Sequence, residues 1–194
     1  MQIKCRSVEY DDGIWEKLPP EPLVDVVTGG KTRMSTMIQT CWDAEALYFR
    51  FTCEEDHTVS KYTKRDEPLY EQDVVEIFLD EAGDGYRYME LEISPHNVIF
   101  DAIVKNDGSQ IEVLTEWDAA GLETVVNMQE GKRLYDIKLP LIHFAEKPAA
   151  GTQWRVNFYR IDESPDGKRE FQAWSPTGVL NYHIPSRFGT LTFL

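Results

Sequence analysis

Apolar and polar side chains alternate along this chain in short runs separated by turn residues. Residues 47–52 (LYFRFT) and 74–79 (VVEIFL) alternate, and the turn-rich segment 80–85 (DEAGDG) leads from the second into residues 86–93 (YRYMELEI). Residues 94–97 turn the chain again into 98–104. Residues 130–132 join 124–128 to 133–139, and 154–161 runs through 165–167 into 170–174, before 189–193 closes the pattern. About nine strands at hairpin spacing, with no long stretch of 3.6 periodicity, predict an all-β fold. The expected architecture is an antiparallel β-sandwich with jelly-roll-like, immunoglobulin-like layering. Only residues 141–144 and their flanks leave room for a short helix. No repeat, low-complexity tract or linker interrupts residues 1–194, so they read as a single domain.

Alternation also sorts side chains by face, because successive residues of a strand point to opposite sides. Val75, Ile77 and Leu79 form one apolar row, and Met89, Leu91 and Ile93 form another. Glu76 and Phe78 lie opposite the first row; Tyr88, Glu90 and Glu92 lie opposite the second. Neighbouring strands would then share a sheet face carrying carboxylates and rings. Trp174 has the parity of Gln172 and Glu170, a second polar-plus-aromatic row, with Phe171 and Ala173 facing the other way. A solvated outer face is the ordinary fate of an antiparallel sheet. Rings flanked by carboxylates and amides are also what a sugar needs, since its C–H patches stack on rings and its hydroxyls bond to planar polar groups.

Charge narrows the partners. Twenty Lys and Arg against 34 Asp and Glu give a formal net charge of −14. A surface so acidic repels phosphate backbones and anionic lipid, which speaks against nucleic-acid and membrane-surface roles. The apolar runs are too short to span a bilayer. The first residues lack an apolar signal core, so the sequence as written is expected in the cytoplasm, or outside the cell if a leader has been removed. Cys5, Cys41 and Cys53 make no C-x-x-C pair and leave an odd count. They are read as buried thiols rather than a disulfide framework or zinc knuckle.

Catalytic and cofactor signatures are sparse. There is no G-x-G-x-x-G, P-loop, G-x-S-x-G or H-E-x-x-H, and His57, His96, His143 and His183 are scattered singly. Asp80 and Asp84 with their glycines suit a hairpin turn better than a calcium loop, whose twelve-residue spacing they do not follow. Glu54, Glu55 and Asp56 read as a solvated strand end. Glu76 with Glu90 or Glu92 could in principle form the carboxylate pair of a glycoside hydrolase, which needs one raised acid and a second carboxylate at a set separation.

The run LYEQDVVEIFLD at 69–80 resembles the W-E-Q-D-S-V-E-I-F signature of the family 9 carbohydrate-binding modules and their relatives. CWDAEALYF, beginning at Cys41, is similar to the family's W-D-D-x-x-L-Y strand. YMELEISP from Tyr88, GTQWRVNFYR from Gly151, AWSP from Ala173 and YHIPSRFG from Tyr182 follow in the family's order. The resemblance spans roughly residues 35 to 194. It implies a β-sandwich that binds the end of a glucan or xylan chain between two aromatic side chains. By position, Tyr70 stands for the first ring, where the family carries tryptophan, and Trp174 for the second. Glu76 falls on the acidic hydrogen-bonding position, and Glu90 and Arg160 belong to motifs of the wider branch and are lining candidates. Arg160 shares its parity with Trp154, Val156 and Phe158, so a strand end, a bulge or a buried ion pair, with Glu90 as one partner, must accommodate it.

The resemblance leaves a structural calcium open, without ligands that map cleanly, and requires no other cofactor. The expected function is therefore non-catalytic carbohydrate binding through Tyr70, Glu76, Glu90, Arg160 and Trp174. Three alternatives stand beside it: a small glycoside-active enzyme, an interaction or scaffold domain that has lost its ligand, and a haem-binding branch of related sandwich folds. The last would need a histidine partner for Met89, and none stands out.

Overall fold

The computed structural model describes all 194 residues. Fourteen strands carry the fold: β1 (Gln2–Ser7), β2 (Glu21–Pro22), β3 (Val24–Asp25), β4 (Thr36–Trp42), β5 (Ala46–Glu54), β6 (Val74–Asp80), β7 (Arg87–Ile93), β8 (Ile99–Asn106), β9 (Ile111–Leu114), β10 (Glu123–Gln129), β11 (Lys132–Pro140), β12 (Gln153–Glu163), β13 (Arg169–Ala173) and β14 (Gly189–Phe193). There is no α-helix. Short 3-10 turns occur at Leu141–His143, where the sequence left room for a short helix, and also at Ile14–Lys17, Leu69–Glu71 and Pro185–Arg187. No helix is long and apolar enough to cross a membrane.

The strands form two layers of a β-sandwich. The front sheet runs β14-β12-β6-β7-β8-β9, with β13 alongside the C-terminal half of β12 and β3 beyond it. The back sheet runs β10-β11-β5-β4, with β2 on β4. Pairing is antiparallel except at β1. Its first residues run parallel to β14 in the front sheet, and Arg6 and Ser7 run parallel to β4 in the back sheet. One strand thus stitches the layers together, a junction that hairpin counting does not reveal.

The predicted apolar rows meet between the sheets. Val75, Ile77 and Leu79 of β6 and Met89, Leu91 and Ile93 of β7 pack against Phe49, Phe51, Ile137 and Leu139 of the back sheet. Complete burial of side chains of this size stabilises by roughly 1.5–3 kcal/mol each. The three cysteines are buried and unpaired. Burial pushes the Cys5 and Cys41 thiols up to about 12 and Cys53 to about 11.

The outward side of the front sheet is not a solvated face. Phe78, Tyr88, Val104, Tyr159 and Ala173 form a second apolar cluster there, roofed by the segment 176–188 through Phe188 and Tyr182. Polar contacts pin that roof. Tyr159 Oη donates to the Tyr182 carbonyl (2.9 Å), Tyr182 Oη donates to the Arg160 carbonyl (3.0 Å), and the two rings stack with centroids 4.0 Å apart. Asn106 Nδ2 donates to the His183 carbonyl at 3.2 Å, and Tyr88 Oη meets His183 Nδ1 at 2.8 Å. Beside this covered region the face stays open, and a cleft forms.

Candidate functional site

Register decides which side chains reach the cleft. Directly opposed residues of antiparallel strands point to the same side of the sheet. Glu76 pairs with Glu92 and Phe78 with Glu90 across β6 and β7, while Tyr159 pairs with Glu76 across β12 and β6. All of these face outward. The next strands continue the surface, with Phe100 on β8 opposite Glu92, and Phe171 on β13 opposite Ile161 of β12.

The result is a cleft of about 580 Å³. Its walls are Phe78, Phe100, Phe171, Tyr182 and His183, and its rim includes Tyr70, Val113 and Leu180. Glu76, Glu90 and Glu92 make the floor, and Arg169 and Asn181 add polar groups. Tyr70 sits on the 3-10 turn at Leu69–Glu71 and remains 50% exposed, and its carbonyl accepts a 2.5 Å hydrogen bond from Arg169 Nη2. A flat ring standing at the mouth of a cleft is available for stacking. His183 is held below its ordinary value, to about 4, by burial, so its imidazole is neutral at physiological pH.

The floor is electrostatically unusual. Carboxylate oxygens of Glu76, Glu90 and Glu92 lie within 4.8 Å of one another, and all three residues are buried. Burial raises Glu90 to about 8. Burial and the neighbouring Glu90 push Glu76 well above the usual carboxylate range, and burial with both neighbours does the same to Glu92. Glu76 and Glu92 suffer twice, from lost solvation and from like charge, whereas Glu90 is raised by burial alone and partly offset by Glu92. Both Glu92 oxygens and Oε1 of Glu76 have no hydrogen-bond partner. The Tyr70 N–H and the Glu90 carboxyl come near enough to influence the Glu92 proton without reaching hydrogen-bond geometry.

Of the five residues picked from sequence, the structure brings Tyr70, Glu76 and Glu90 together and places the other two elsewhere. Trp174 is fully buried in the main core, its ring 5.8 Å from that of Phe158 and lying on Gly189. The reason is register: Ala173 opposes the outward Tyr159, so Trp174 turns inward, and the cleft takes the Phe171 side of β13 instead of the Trp174 side. Arg160 is buried too. It pairs with Asp162 at 2.6 Å rather than with Glu90, and it donates to Thr36 Oγ1 (3.0 Å) and the Glu54 carbonyl (2.8 Å). Arg160 therefore ties front sheet to back sheet. Phe171, Tyr182, Arg169 and Glu92 line the cleft without having been picked, although Glu92 was already in the row of Glu90.

The calcium loop weighed at Asp80 and Asp84 is a hairpin turn, and the strand end at 54–56 is engaged rather than simply solvated, with the Glu55 side chain buried. Asp80 accepts from the N–H groups of Gly83 (2.7 Å) and Gly85 (2.9 Å), closing the hairpin turn that the sequence predicts. Glu55 is held by Arg133 at 2.6 Å, Glu54 by the Ser35 N–H, and Asp56 by Arg33.

The profile of the carbohydrate family 9 binding domain-like family matches residues 9–194. The chain belongs to that family. Among solved structures, a family 9 module from Caldicellulosiruptor kristjanssonii in complex with cellotriose superposes with a TM-score of 0.76 at 18% identity, covering 100% of this chain and 93% of that one. The glucose complex of a family 9 module from the same organism gives 0.76 at 19%, with 100% and 96% covered. A Bacteroides uniformis protein gives 0.79 at 15%, with 100% and 99% covered. An extracellular protein of Arthroderma benhamiae is 26% identical over 178 residues, 82% of this chain and 78% of that protein. The family match reaches further toward the N-terminus than the resemblance read from the motifs, and takes in β2 and β3.

Proposed function

We propose that this chain is a non-catalytic carbohydrate-binding module that takes a mono- or oligosaccharide, or a chain end, in the front-sheet cleft. The observation that carries the reading is the open cleft itself, in which rings stand over a floor of carboxyl groups. Sugars bind by stacking C–H faces on rings and by directing hydroxyls to planar polar groups. Tyr70 supplies the accessible ring, Phe171 and Tyr182 continue the wall, and Glu76, Glu90, Arg169 and Asn181 supply the polar contacts. Relatives within the family hold cellotriose and glucose, which supports a gluco-configured ligand here.

Two features weigh against the alternatives. A retaining glycosidase separates its carboxyl groups by about 5–5.5 Å and an inverting one by about 6.5–9.5 Å. The floor acids bring oxygens within 4.8 Å of one another, and burial raises all three, so the floor does not show the division into one raised acid and one ordinary carboxylate that such a pair needs. A scaffold domain that had lost its ligand would fill the site with its own side chains, whereas this cleft is open. The test is calorimetric titration with glucose, cellobiose, cellotriose, xylose and xylobiose. Heat from at least one of them, weakened in Tyr70→Ala, is the expected result; silence across the panel would overturn it.

A further inference from the structure

The floor of the cleft presents three acids and little to balance them. Glu92 is completely buried with both oxygens unpartnered, and Oε1 of Glu76 is also buried and unpartnered. Folded proteins rarely leave such acceptors empty, because each has lost its water without gaining a replacement. The guanidinium that shares the cleft, Arg169, spends its Nη2 on the Tyr70 carbonyl.

We propose that Glu76, Glu90 and Glu92 form a calcium site at the bottom of the cleft, with its open coordination positions directed at the ligand. The donor set is all carboxylate, without His or Cys, which selects a hard cation over zinc or copper. Oxygens within 4.8 Å of one another can share one ion, and an irregular set of three carboxylates suits calcium, whose coordination is flexible, better than magnesium, which demands a near-ideal octahedron and keeps its waters. Three carboxylates bound through one oxygen each offer three donors of the roughly six to eight that calcium takes, so positions remain for water or a pair of sugar hydroxyls. Three ionised carboxyls facing one divalent ion and the Arg169 guanidinium leave no net charge. The acids that repel one another in the ion's absence become mutually supporting in its presence. Only the role of the open positions rests on the sugar-binding reading; the ion site does not.

The experiment is titration of calcium chloride into EDTA-treated, desalted full-length protein at pH 8, followed calorimetrically and by melting temperature. The expected result is one calcium per chain and a higher melting temperature. Both should be lost in Glu92→Gln and in Glu76→Gln and kept in Asp166→Asn, a surface acid outside the cleft. The glutamine variants are isosteric, and a melting temperature at least equal to that of the EDTA-treated parent shows that they fold. No heat from the parent, or heat undiminished in both glutamine variants, overturns the site. Sugar titrations with and without EDTA then separate the two readings. Affinity falling roughly tenfold or more in EDTA supports an ion that bridges to the ligand. Full sugar affinity in EDTA, with no calcium bound, removes the ion and leaves the sugar. Calcium bound with silence from every sugar keeps the ion and removes the sugar.

Discussion

Replacing Glu90 by glutamine should flatten the dependence of stability on pH. Glu90 is buried beside Glu76 and Glu92, and its carboxyl holds its proton to about pH 8 in the folded chain. An unfolded glutamate releases it near 4.5. Above that value the unfolded state binds fewer protons than the native state, so stability falls as pH rises, and the loss is complete only above the folded pKa. With each pKa unit equivalent to about 1.36 kcal/mol, the penalty at pH 9 reaches about 5 kcal/mol, or about 2 if water enters from the cleft to solvate the charge. Glutamine keeps the shape and cannot ionise. It also relieves Glu76 and Glu92, both of which Glu90 pushes upward, so the secondary effect has the same sign. Urea denaturation in EDTA between pH 5 and 9 reads this directly. The parent should lose several kcal/mol across that range, and the variant should lose markedly less and surpass the parent at pH 9. Parallel profiles for the two proteins would show that the acids are well solvated, and the description of the floor as a desolvated cluster would fail. Repeating the series with calcium adds a cross-check, since a bound ion should itself flatten the parent's profile.

Tyr70→Ala should weaken sugar binding by about 1 kcal/mol, the worth of one ring stack, with little change in melting temperature because the side chain is half exposed. Trp174→Ala should do the reverse, costing about 3–5 kcal/mol of stability in chemical denaturation by emptying a space in the core. Gly189→Ala should also destabilise, by about 1–3 kcal/mol or more, because a Cβ there would fall 2.1 Å from Cζ3 of the Trp174 ring. The three thiols, buried and raised, should react with a disulfide reagent only on unfolding, so that labelling in native buffer and in urea gives none and three per chain.

Strand alternation made the layers legible. The two apolar rows of β6 and β7 enter the core as the pattern says, and Glu76, Phe78, Glu90 and Glu92 share one face for the same reason. What alternation cannot supply is which face of β13 joins them. Trp174 looked the more sugar-like neighbour, yet the register with β12 sends it inward and brings Phe171 out. Parity had already placed Arg160 on an inward row, and a buried pair two residues along its own strand resolves it. β1 and β4 were missed for a different reason. β4 is buried on nearly every position, which blurs a two-residue period, and β1 is a short polar-looking strand whose partners lie at the far end of the chain. The roof at 176–188 has no periodicity at all; its place is set by hydrogen bonds from Tyr159 and Asn106 that only the folded sheet can offer.

The strand that stitches the sheets also fixes how the molecule would bear load. β1 opens the chain and β14 ends it, and the two lie side by side and parallel, Gln2 beside Thr190 and Cys5 beside Phe193. Rungs run along the whole seam, from the Thr190 N–H on the Met1 carbonyl (3.0 Å) to the Leu194 N–H on the Cys5 carbonyl (2.8 Å) and the Ser7 N–H on the Leu194 carbonyl (2.8 Å). Tension drawing the two ends apart would slide these strands past one another, stressing every rung at once instead of peeling them singly. Between two anchored neighbours, the module would behave as a clasp loaded in shear, with the cleft floor on β6 and β7 set off from the clasp by β12.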